Sequence, residues 1–464
     1  MKIAVIGGAG VRTPLLVNGL ADSDLPIDEV ALYDTDRERL SIIGNVAARM
    51  CGAPRPFESL RVVPSSVEGR QAGDAPRPLK GRARVTLGTT VAECVRGAAF
   101  VFTSIRVGGI EQRVRDEATA QRHGIVGQET IGPAGFAMAA RTIPQMVGYA
   151  REIAREAPDA WIINFTNPVG MVTEAMRTAS DRVIGICDTP TELFAEVSHA
   201  LDLETERCYF DYFGLNHLGW LREVYSDGIP QLRRLWHDEA RLRSVYKVPL
   251  FEPLALRGLK LLPTEYVYYY DQPERAFENV RRAGQSRGQA IAELTRVLFE
   301  ALSERRNAPD AEVIAVYKSY LWTRSAGYMQ IESGSENPAA SATPSALSGY
   351  DKIALGVVRA IHLNDNTIIP LSVENRGNIP VLLDRDVVEV PCLVNANGAH
   401  ALHVGRVPER VAALLGRVKE YERLTVRASL AQNIDAAREA LAHNPLVPDR
   451  RTAGRLIDDL SPLW

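Results

Sequence analysis

The first fourteen residues leave few folds open. Lys2 to Ile6 is a short apolar run that passes straight into Gly7-Gly8-Ala9-Gly10-Val11-Arg12-Thr13-Pro14. A buried strand that ends in a glycine-rich turn and a helix start brings backbone close to a pyrophosphate at the helix N-terminus. Gly8 and Gly10 form a G-x-G, but Thr13 stands where the dinucleotide fingerprint has its third glycine. Alone, the turn fits a dinucleotide site and a tight structural bend equally well. A second apolar run, Val30 to Tyr33, favours the former because it ends at Asp34, 24 residues after Gly10. A carboxylate there accepts hydrogen bonds from an adenosine ribose and favours NAD over its phosphorylated form, with Asp36 as the fallback.

The alternation continues. Val85 to Leu87 and Ala98 to Thr103 predict further strands, the second running into Ser104 and Ile105-Arg106-Val107-Gly108-Gly109. Pro144 to Glu156 reads as a helix, and Trp161 to Asn164 and Val183 to Ile186 read as strands. Both end in polar, reactive side chains: Asn164, Thr166 and Asn167 after the first, Cys187 and Asp188 after the second. Ligands of an open α/β sheet sit beyond the carboxyl ends of its strands. Gly8, Gly10, Thr13, Asp34, Ser104 and Asn164 are therefore expected at the cofactor. A polar segment, Glu111 to Arg122, follows Gly109, and then Gly127 to Gly135, whose glycine ends and polar interior suggest a loop at a ligand. Strand and helix alternating through residue 190 predict an α/β fold, a doubly wound parallel sheet of the Rossmann type.

Residues 54 to 82, rich in Pro, Arg, Gly and Ser, read as a surface excursion. Beyond about residue 195, helical stretches (Thr191 to Leu201, Gln285 to Ser303, Pro408 to Leu441) are interrupted by strand-like pieces such as Val387 to Leu393. Residues 1–195 are expected to form an NAD-binding Rossmann-like domain. Residues 196–464 are expected to form a C-terminal α+β domain that closes a cleft and carries substrate, metal and oligomerisation functions. A length of 464 residues suits two domains better than one core.

Hydrophobic content of 46% and charged content of 24% are those of a soluble globular chain. A net charge of −3 gives no electrostatic reason to expect nucleic acid or an anionic membrane. No apolar run approaches the roughly 18 residues that span a bilayer, and Met1 to Gly10 enters a strand and turn with no signal-peptide pattern. Five scattered cysteines fit reduced thiols in a cytoplasmic protein. One of them, Cys187, precedes His217 by 30 residues, and His217 again follows an apolar run, Tyr209 to Leu215. A thiolate and an imidazole could share a metal ion. By spacing alone, a small buried cysteine and a satisfied core histidine are the commoner outcome.

In this order the residues resemble the NAD- and metal-dependent glycosidases of glycoside hydrolase family four, and within it the 6-phospho-β-glucosidase-like members. The resemblance covers nearly the whole chain: the glycine turn followed by T-P, then I-R-V-G-G, R-x-x-D-E, G-Q-E-T, N-F-T-N-P, C-D-x-P, G-L-N-H-L-G-W, P-T-E-Y-V-Y-Y-Y, and N-x-G-x-I-P near Asn378. The N-terminal half is also similar to lactate and malate dehydrogenases, whose T-N-P segment follows a strand in like fashion.

The family resemblance implies a redox route to the hydrolysis of 6-phospho-β-glucosides, an exception to two-carboxylate glycoside hydrolysis. NAD takes a hydride from C3, a base removes the C2 proton that the new ketone acidifies, and the group on C1 leaves by elimination. Water then adds and NADH returns the hydride. The resemblance further implies Mn²⁺, or another divalent metal, held by Cys187 and His217. It implies a tyrosine base, best matched by Tyr266, while Tyr268 to Tyr270 read as core. Asp188 is implied either as proton donor to the leaving oxygen or as an orienting neighbour of a metal ligand. Arg113, Asn167 and Arg287 are implied at the substrate, Arg287 with Ser286 at the 6-phosphate, and Arg106 and Arg115 are alternatives to Arg113.

The substrate implied is a phosphorylated disaccharide or glycoside, and the assembly a homo-oligomer, dimer or tetramer. Several β-specific members carry Asn where Asp188 stands, which keeps a 6-phospho-α-glucosidase or another family-four glycosidase open. Two further alternatives are an NAD-dependent hydroxy-acid dehydrogenase and a non-catalytic NAD-binding sensor. The presence of Cys187, His217 and Tyr266 counts against both.

Overall fold

In a computed structural model the described residues are 1–52, 83–335 and 349–463. The excursion expected at 54 to 82 lies outside them. β1 (Lys2–Ile6) has four of its five residues buried, as befits a strand in a parallel sheet covered on both faces. β2 (Glu29–Tyr33), β3 (Arg84–Leu87), β4 (Ala98–Thr103), β5 (Trp161–Asn164) and β6 (Val183–Gly185) join it in the order β6-β5-β4-β1-β2-β3, every pair parallel. The winding reverses between β1 and β4, so a crevice opens beyond their carboxyl ends.

Gly7, immediately after β1, has φ +91°, and a Cβ on it would lie 2.1 Å from the Ser104 carbonyl oxygen. Only glycine lets these two strand ends close on one another. Gly8 serves packing instead of the crevice: a Cβ there would meet Leu32 Cβ at 2.9 Å and Leu40 Cδ1 at 3.0 Å.

The sheet does not stop at β6. β7 (Cys208–Leu215), β8 (Leu218–Ser226), β9 (Ile229–Pro230), β10 (Leu262–Pro263), β11 (Thr367–Glu374), β12 (Val387–Asn395) and β13 (Gly398–Ala401) extend it in the order β6-β11-β12-β7-β8-β10, with β13 on β12 and β9 on β8. These added pairings are antiparallel. The joints are narrow: Ser372 opposite Gly185 ties β11 to β6, and Glu389 opposite Gly214 ties β12 to β7. One core serves both halves, with Phe102, Ile163 and Ile184 in the same apolar cluster as Phe213, Trp220 and Val390. The position expected for the boundary, residue 195, falls inside the helix Thr189–Ala200.

Three stretches differ from expectation. The helix expected from Pro144 begins at Gly132 and runs to Glu156 with Pro144 inside it. Buried small side chains at Ala134, Ala137, Ala139 and Ala140 pack its first turns closely, and that burial outweighs the one hydrogen bond a proline cannot donate. The loop expected at Gly127 to Gly135 ends at Ile131, its last four residues opening that same helix, and the polar segment from Glu111 before it is a helix of its own, Gly109–Arg122. The helical run from Pro408 is two helices, Glu409–Ala431 and Ile434–His443, broken where Gln432 takes φ +49° and Asn433 caps the second through Ala436 N–H at 2.9 Å.

Candidate active site

A cleft of about 2270 Å³ runs along the carboxyl ends of the parallel strands and draws its walls from both halves of the chain. Gly10, Asp34, Ser104, Asn167, Cys187, Asp188, His217, Tyr266, Arg113 and Arg287 all line it. Gly8, Thr13 and Asn164, expected at the cofactor, do not reach it. Thr13 is buried in the first turn of a helix with its N–H given to Gly10 O at 2.9 Å. Asn164 is fully buried and its amide is spent on structure, accepting from Thr103 Oγ1 (3.0 Å) and Thr166 N (2.9 Å) and donating to Thr173 Oγ1 (3.0 Å). Asp34 accepts from Ala9 N at 3.0 Å, which fixes the carboxylate beside the glycine turn. Asp36, the fallback, caps the following helix through Arg39 N.

Cys187 follows β6, and His217 occupies the second position of the two-residue turn between β7 and β8. His217 holds φ +63°, a conformation that costs a non-glycine residue of order 1–2 kcal/mol and is retained where the surroundings over-determine it. Both neighbours do so here. Asn216 donates to the buried Glu389 carboxylate (3.2 Å), which also accepts from Tyr212 Oη (2.7 Å). The imidazole Nδ1 meets Thr130 Oγ1 at 2.8 Å. Thr130 gives its own proton to Gln128 Oε1 at 2.9 Å, so its oxygen can only accept from Nδ1–H. That tautomer leaves the Nε2 lone pair free, and Nε2 faces Cys187 Sγ at 3.6 Å.

Burial pushes the imidazole down to about 4, against the pull of Glu129 and Asp188, so it is neutral at physiological pH and able to ligate. Burial likewise raises the Cys187 thiol, with Glu389 and Asp188 adding to the effect. Metal coordination would reverse this by deprotonating the thiol. Among the described residues no three His, Cys, Asp or Glu side chains converge as a metal cage. A cation held by Cys187 and His217 would thus keep open positions for substrate oxygens, and the donor set fits. Thr130→Val is expected to weaken divalent-metal affinity about 10- to 100-fold with the fold intact, measured by calorimetric Mn²⁺ titration. Unchanged affinity would show that Thr130 does not orient the ring.

Tyr266 stacks flat on His217, with ring centroids 3.8 Å apart and planes within 1°. Burial and then Glu129 raise its phenol well above the usual range. Of the three tyrosines expected in the core, Tyr268 is buried and tied to Glu332 O, Tyr269 is buried on Met329 Sδ but also lines the cleft, and Tyr270 is half-buried.

Arg113 lines the cleft, yet its guanidinium is held between Glu117 (2.7 Å) and Glu129 (2.8 Å). Burial works against its charge, but Glu129 and Glu117 outweigh it. Arg106 also pairs with Glu129, while Arg115 lies exposed on Gln112. Glu117 accepts from Gly288 N at 2.8 Å and so anchors the helix Arg287–Glu304. Arg287 opens that helix, donating to Arg324 O at 2.5 Å. Among the described residues no carboxylate pairs with Arg287 or Arg324. Burial, with Arg324 and Arg113 beside it, presses the Arg287 guanidinium below its ordinary range in spite of Glu332. Two clustered guanidiniums that make no direct ion pair among the described residues are suited to an anion. Ser286, expected beside Arg287 at the phosphate, is buried and does not line the cleft; it caps the helix by accepting from Gln289 N at 3.2 Å.

Asn167 Oδ1 is buried with no hydrogen-bond partner, an acceptor awaiting a sugar hydroxyl or a cation. Asp188 is bonded to Arg12 at 3.0 Å, across from the glycine turn. Sequence reasoning missed Arg324, Glu265 and Tyr328, all at the cleft. Burial and the neighbouring Glu192 raise the Glu265 carboxyl to about 7. Only its place beside Tyr266 in P-T-E-Y pointed to it, and the other two lie in no motif.

The family model for the C-terminal domain of family 4 glycosyl hydrolases matches residues 212–447, and the companion family 4 glycosyl hydrolase model matches residues 77–203. The chain belongs to glycosyl hydrolase family 4. Within the family it is 29% identical to a probable 6-phospho-beta-glucosidase of Bacillus subtilis over 474 residues, covering 99% of this chain and 95% of that protein. The 6-phospho-beta glucosidase of Thermotoga maritima, solved with manganese, NAD+ and glucose-6-phosphate, superposes with a TM-score of 0.77 at 27% identity, covering 99% of this chain and 97% of that one. A 6-phospho-alpha-glucosidase from gut microorganisms, solved with NAD and glucose-6-phosphate, gives a TM-score of 0.80 at 25% identity, covering 100% and 97%. The Rossmann-type α/β fold and glycoside hydrolase class expected from the sequence both stand.

Proposed function

We propose that this family 4 enzyme hydrolyses 6-phospho-β-glucosides with NAD and Mn²⁺, or another divalent metal, as cofactors. The observation that carries the reading is the convergence in one cleft of Cys187 with His217, the stacked Tyr266, and Arg287 and Arg324, which form no ion pair among the described residues. Gly7, Gly10, Ser104 and Asp34 would hold the dinucleotide, and Cys187 and His217 the metal. When bound, the dinucleotide withdraws and returns a hydride at C3 and the cation polarises the C2 and C3 oxygens. Tyr266 takes the C2 proton. Asn167 accepts from a sugar hydroxyl, and Arg287 and Arg324 hold the 6-phosphate.

The contact of Asp188 with Arg12 favours an orienting role beside Cys187. The same residue, with the likeness to the 6-phospho-alpha-glucosidase structure, supports a second reading as a 6-phospho-α-glucosidase. In the division of labour we infer, residues 1–195 supply the dinucleotide site and residues 196–464 most of the substrate wall, with His217. Assembly into a dimer or tetramer belongs to the same reading. Five free cysteines support a cytoplasmic setting, and among the described residues no helix is long and apolar enough to cross a membrane.

The test is a panel of α- and β-nitrophenyl glucosides, with and without 6-phosphate, assayed with NAD⁺ and Mn²⁺. Cleavage is expected for the phosphorylated β-glucoside and only with both cofactors. Arg287→Ala should raise KM for that substrate about 10- to 100-fold more than for its unphosphorylated parent, the worth of a charge-assisted contact of about 1.5–3 kcal/mol. Equal effects on both substrates would show that Arg287 does not read the phosphate.

A further inference from the structure

The glycine turn after β1 is held in part from the far half of the chain. Within it, Gly7 O accepts from Gly10 N at 3.0 Å, Gly10 O from Thr13 N at 2.9 Å and Arg12 O from Leu15 N at 3.1 Å. The carbonyl between the last two, that of Val11, accepts from the Tyr317 hydroxyl at 2.7 Å, across 306 positions of sequence. The helix that follows, Thr13–Ala21, starts without a side-chain cap. Tyr317 is fully buried in the helix Asp310–Ala326. Its apolar cluster joins Leu15, Ile42 and Val46 of the nucleotide half to Leu298 and Leu302 of the helix Arg287–Glu304. Arg49 pins the start of the tyrosine's helix, donating to Ala308 O at 2.7 Å and Asp310 Oδ1 at 2.9 Å. Burial raises the phenol above its ordinary range, which keeps it a donor.

We propose that Tyr317 is a positioning residue of the dinucleotide site: its hydrogen bond to Val11 O sets the angle at which the glycine turn meets a pyrophosphate. The proposal rests on the reading of that turn as the NAD site. A peptide unit is planar and trans, so a carbonyl locked on one side locks the next N–H on the other. Holding Val11 O therefore fixes the direction of Arg12 N–H, at the start of a nine-residue helix, where backbone amides serve phosphate oxygens. Val11 and Arg12 both line the cleft. The usual dinucleotide turn has a third glycine for close helix packing. This chain has Thr13 there, and the corner gains a tie from the other half of the protein. Without the hydroxyl, the Val11 peptide loses this restraint and can turn. The dinucleotide then has to realign it on binding, which lowers affinity.

The experiment titrates the full chain calorimetrically with NAD⁺ and with ADP-ribose, which shares the pyrophosphate but lacks nicotinamide. Tyr317→Phe removes only the hydroxyl and should weaken both ligands by the same factor, about 5- to 20-fold. The NAD⁺ concentration for half-maximal rate should rise in step, while kcat and KM for the phosphorylated substrate at saturating NAD⁺ stay within about twofold of wild type. Tyr320→Phe is the control on the same helix: its hydroxyl meets Thr295 Oγ1 at 3.2 Å and Arg324 at 3.0 Å. It should leave both dinucleotide affinities within about twofold. Tyr317→Met, whose flexible side chain fills irregular core gaps, should show the same paired loss and covers the case of a poorly folding Tyr317→Phe. Unchanged affinity for both ligands in the Tyr317 variants, or a loss confined to NAD⁺, would overturn the positioning role alone. A fall in kcat at saturating NAD⁺ as large as the fall in affinity would mark a general structural role and overturn it too. Wild type that binds neither ligand would instead overturn the dinucleotide reading, and the proposal with it.

Discussion

Cys187→Ser and His217→Ala are each expected to leave no measurable hydrolysis while NAD⁺ still binds within about twofold of wild type. These two side chains are the proposed metal ligands, with Sγ and Nε2 standing 3.6 Å apart. A serine hydroxyl replaces a soft anionic donor with a neutral one, and alanine removes the second donor, so neither variant keeps a pair. Loss of the Lewis acid forfeits several kcal/mol of charge stabilisation, on the order of a thousandfold or more in rate. The glycine turn and Asp34 lie on other strands and are untouched. Rates with and without added Mn²⁺, set beside NAD⁺ titrations, decide it. Wild-type turnover by either variant after chelation would place the metal elsewhere.

Hydrolysis in D₂O should yield sugar carrying deuterium at C2, and NAD⁺ should be required although no NADH accumulates. Removing a C2 proton by way of Tyr266 exposes it to exchange before water adds back, whereas direct displacement at C1 never touches C2. Tyr266→Phe keeps the ring stacked on His217 and removes only the hydroxyl. Turnover and C2 exchange should therefore fall together, by about 10²- to 10⁴-fold, with metal and NAD⁺ affinity nearly unchanged. Product without C2 deuterium, formed equally well without NAD⁺, would return Asp188 and the other carboxylates to the centre of the chemistry.

What was legible from sequence follows the range of the interactions involved. β1 and β4 match their predicted bounds because a buried parallel strand is a continuous apolar run. The cleft position of Asp34, Cys187, His217 and Tyr266 was accessible because each closes or follows such a run, or sits in a dense motif. The errors are of two kinds. Gly8, Thr13 and Asn164 stand in the right turns but face the wrong way, and direction is set by packing against Leu32, Gly10 and Thr173 rather than by position in a motif. Arg324 and Tyr328 were missed because nothing local marks them, and β11 because Pro370 interrupts its apolar run. Their roles come from neighbours far along the chain, Arg287, Glu265 and β6.

The two proposed metal ligands follow β6 and β7, and those strands are not neighbours, since β11 and β12 lie between them. On the ribosome, β6 and β7 emerge well before residues 367–395, which hold them in register. β1 and β4, which flank the nucleotide crevice, both end by Thr103. The strands around the glycine turn thus rest on neighbours near in sequence, whereas the Cys187–His217 pair rests on contacts far apart in the chain. A chain cut before residue 367 lacks the two strands that set thiol against imidazole, and with them part of the shared core, so neither half carries the hydrolytic site alone.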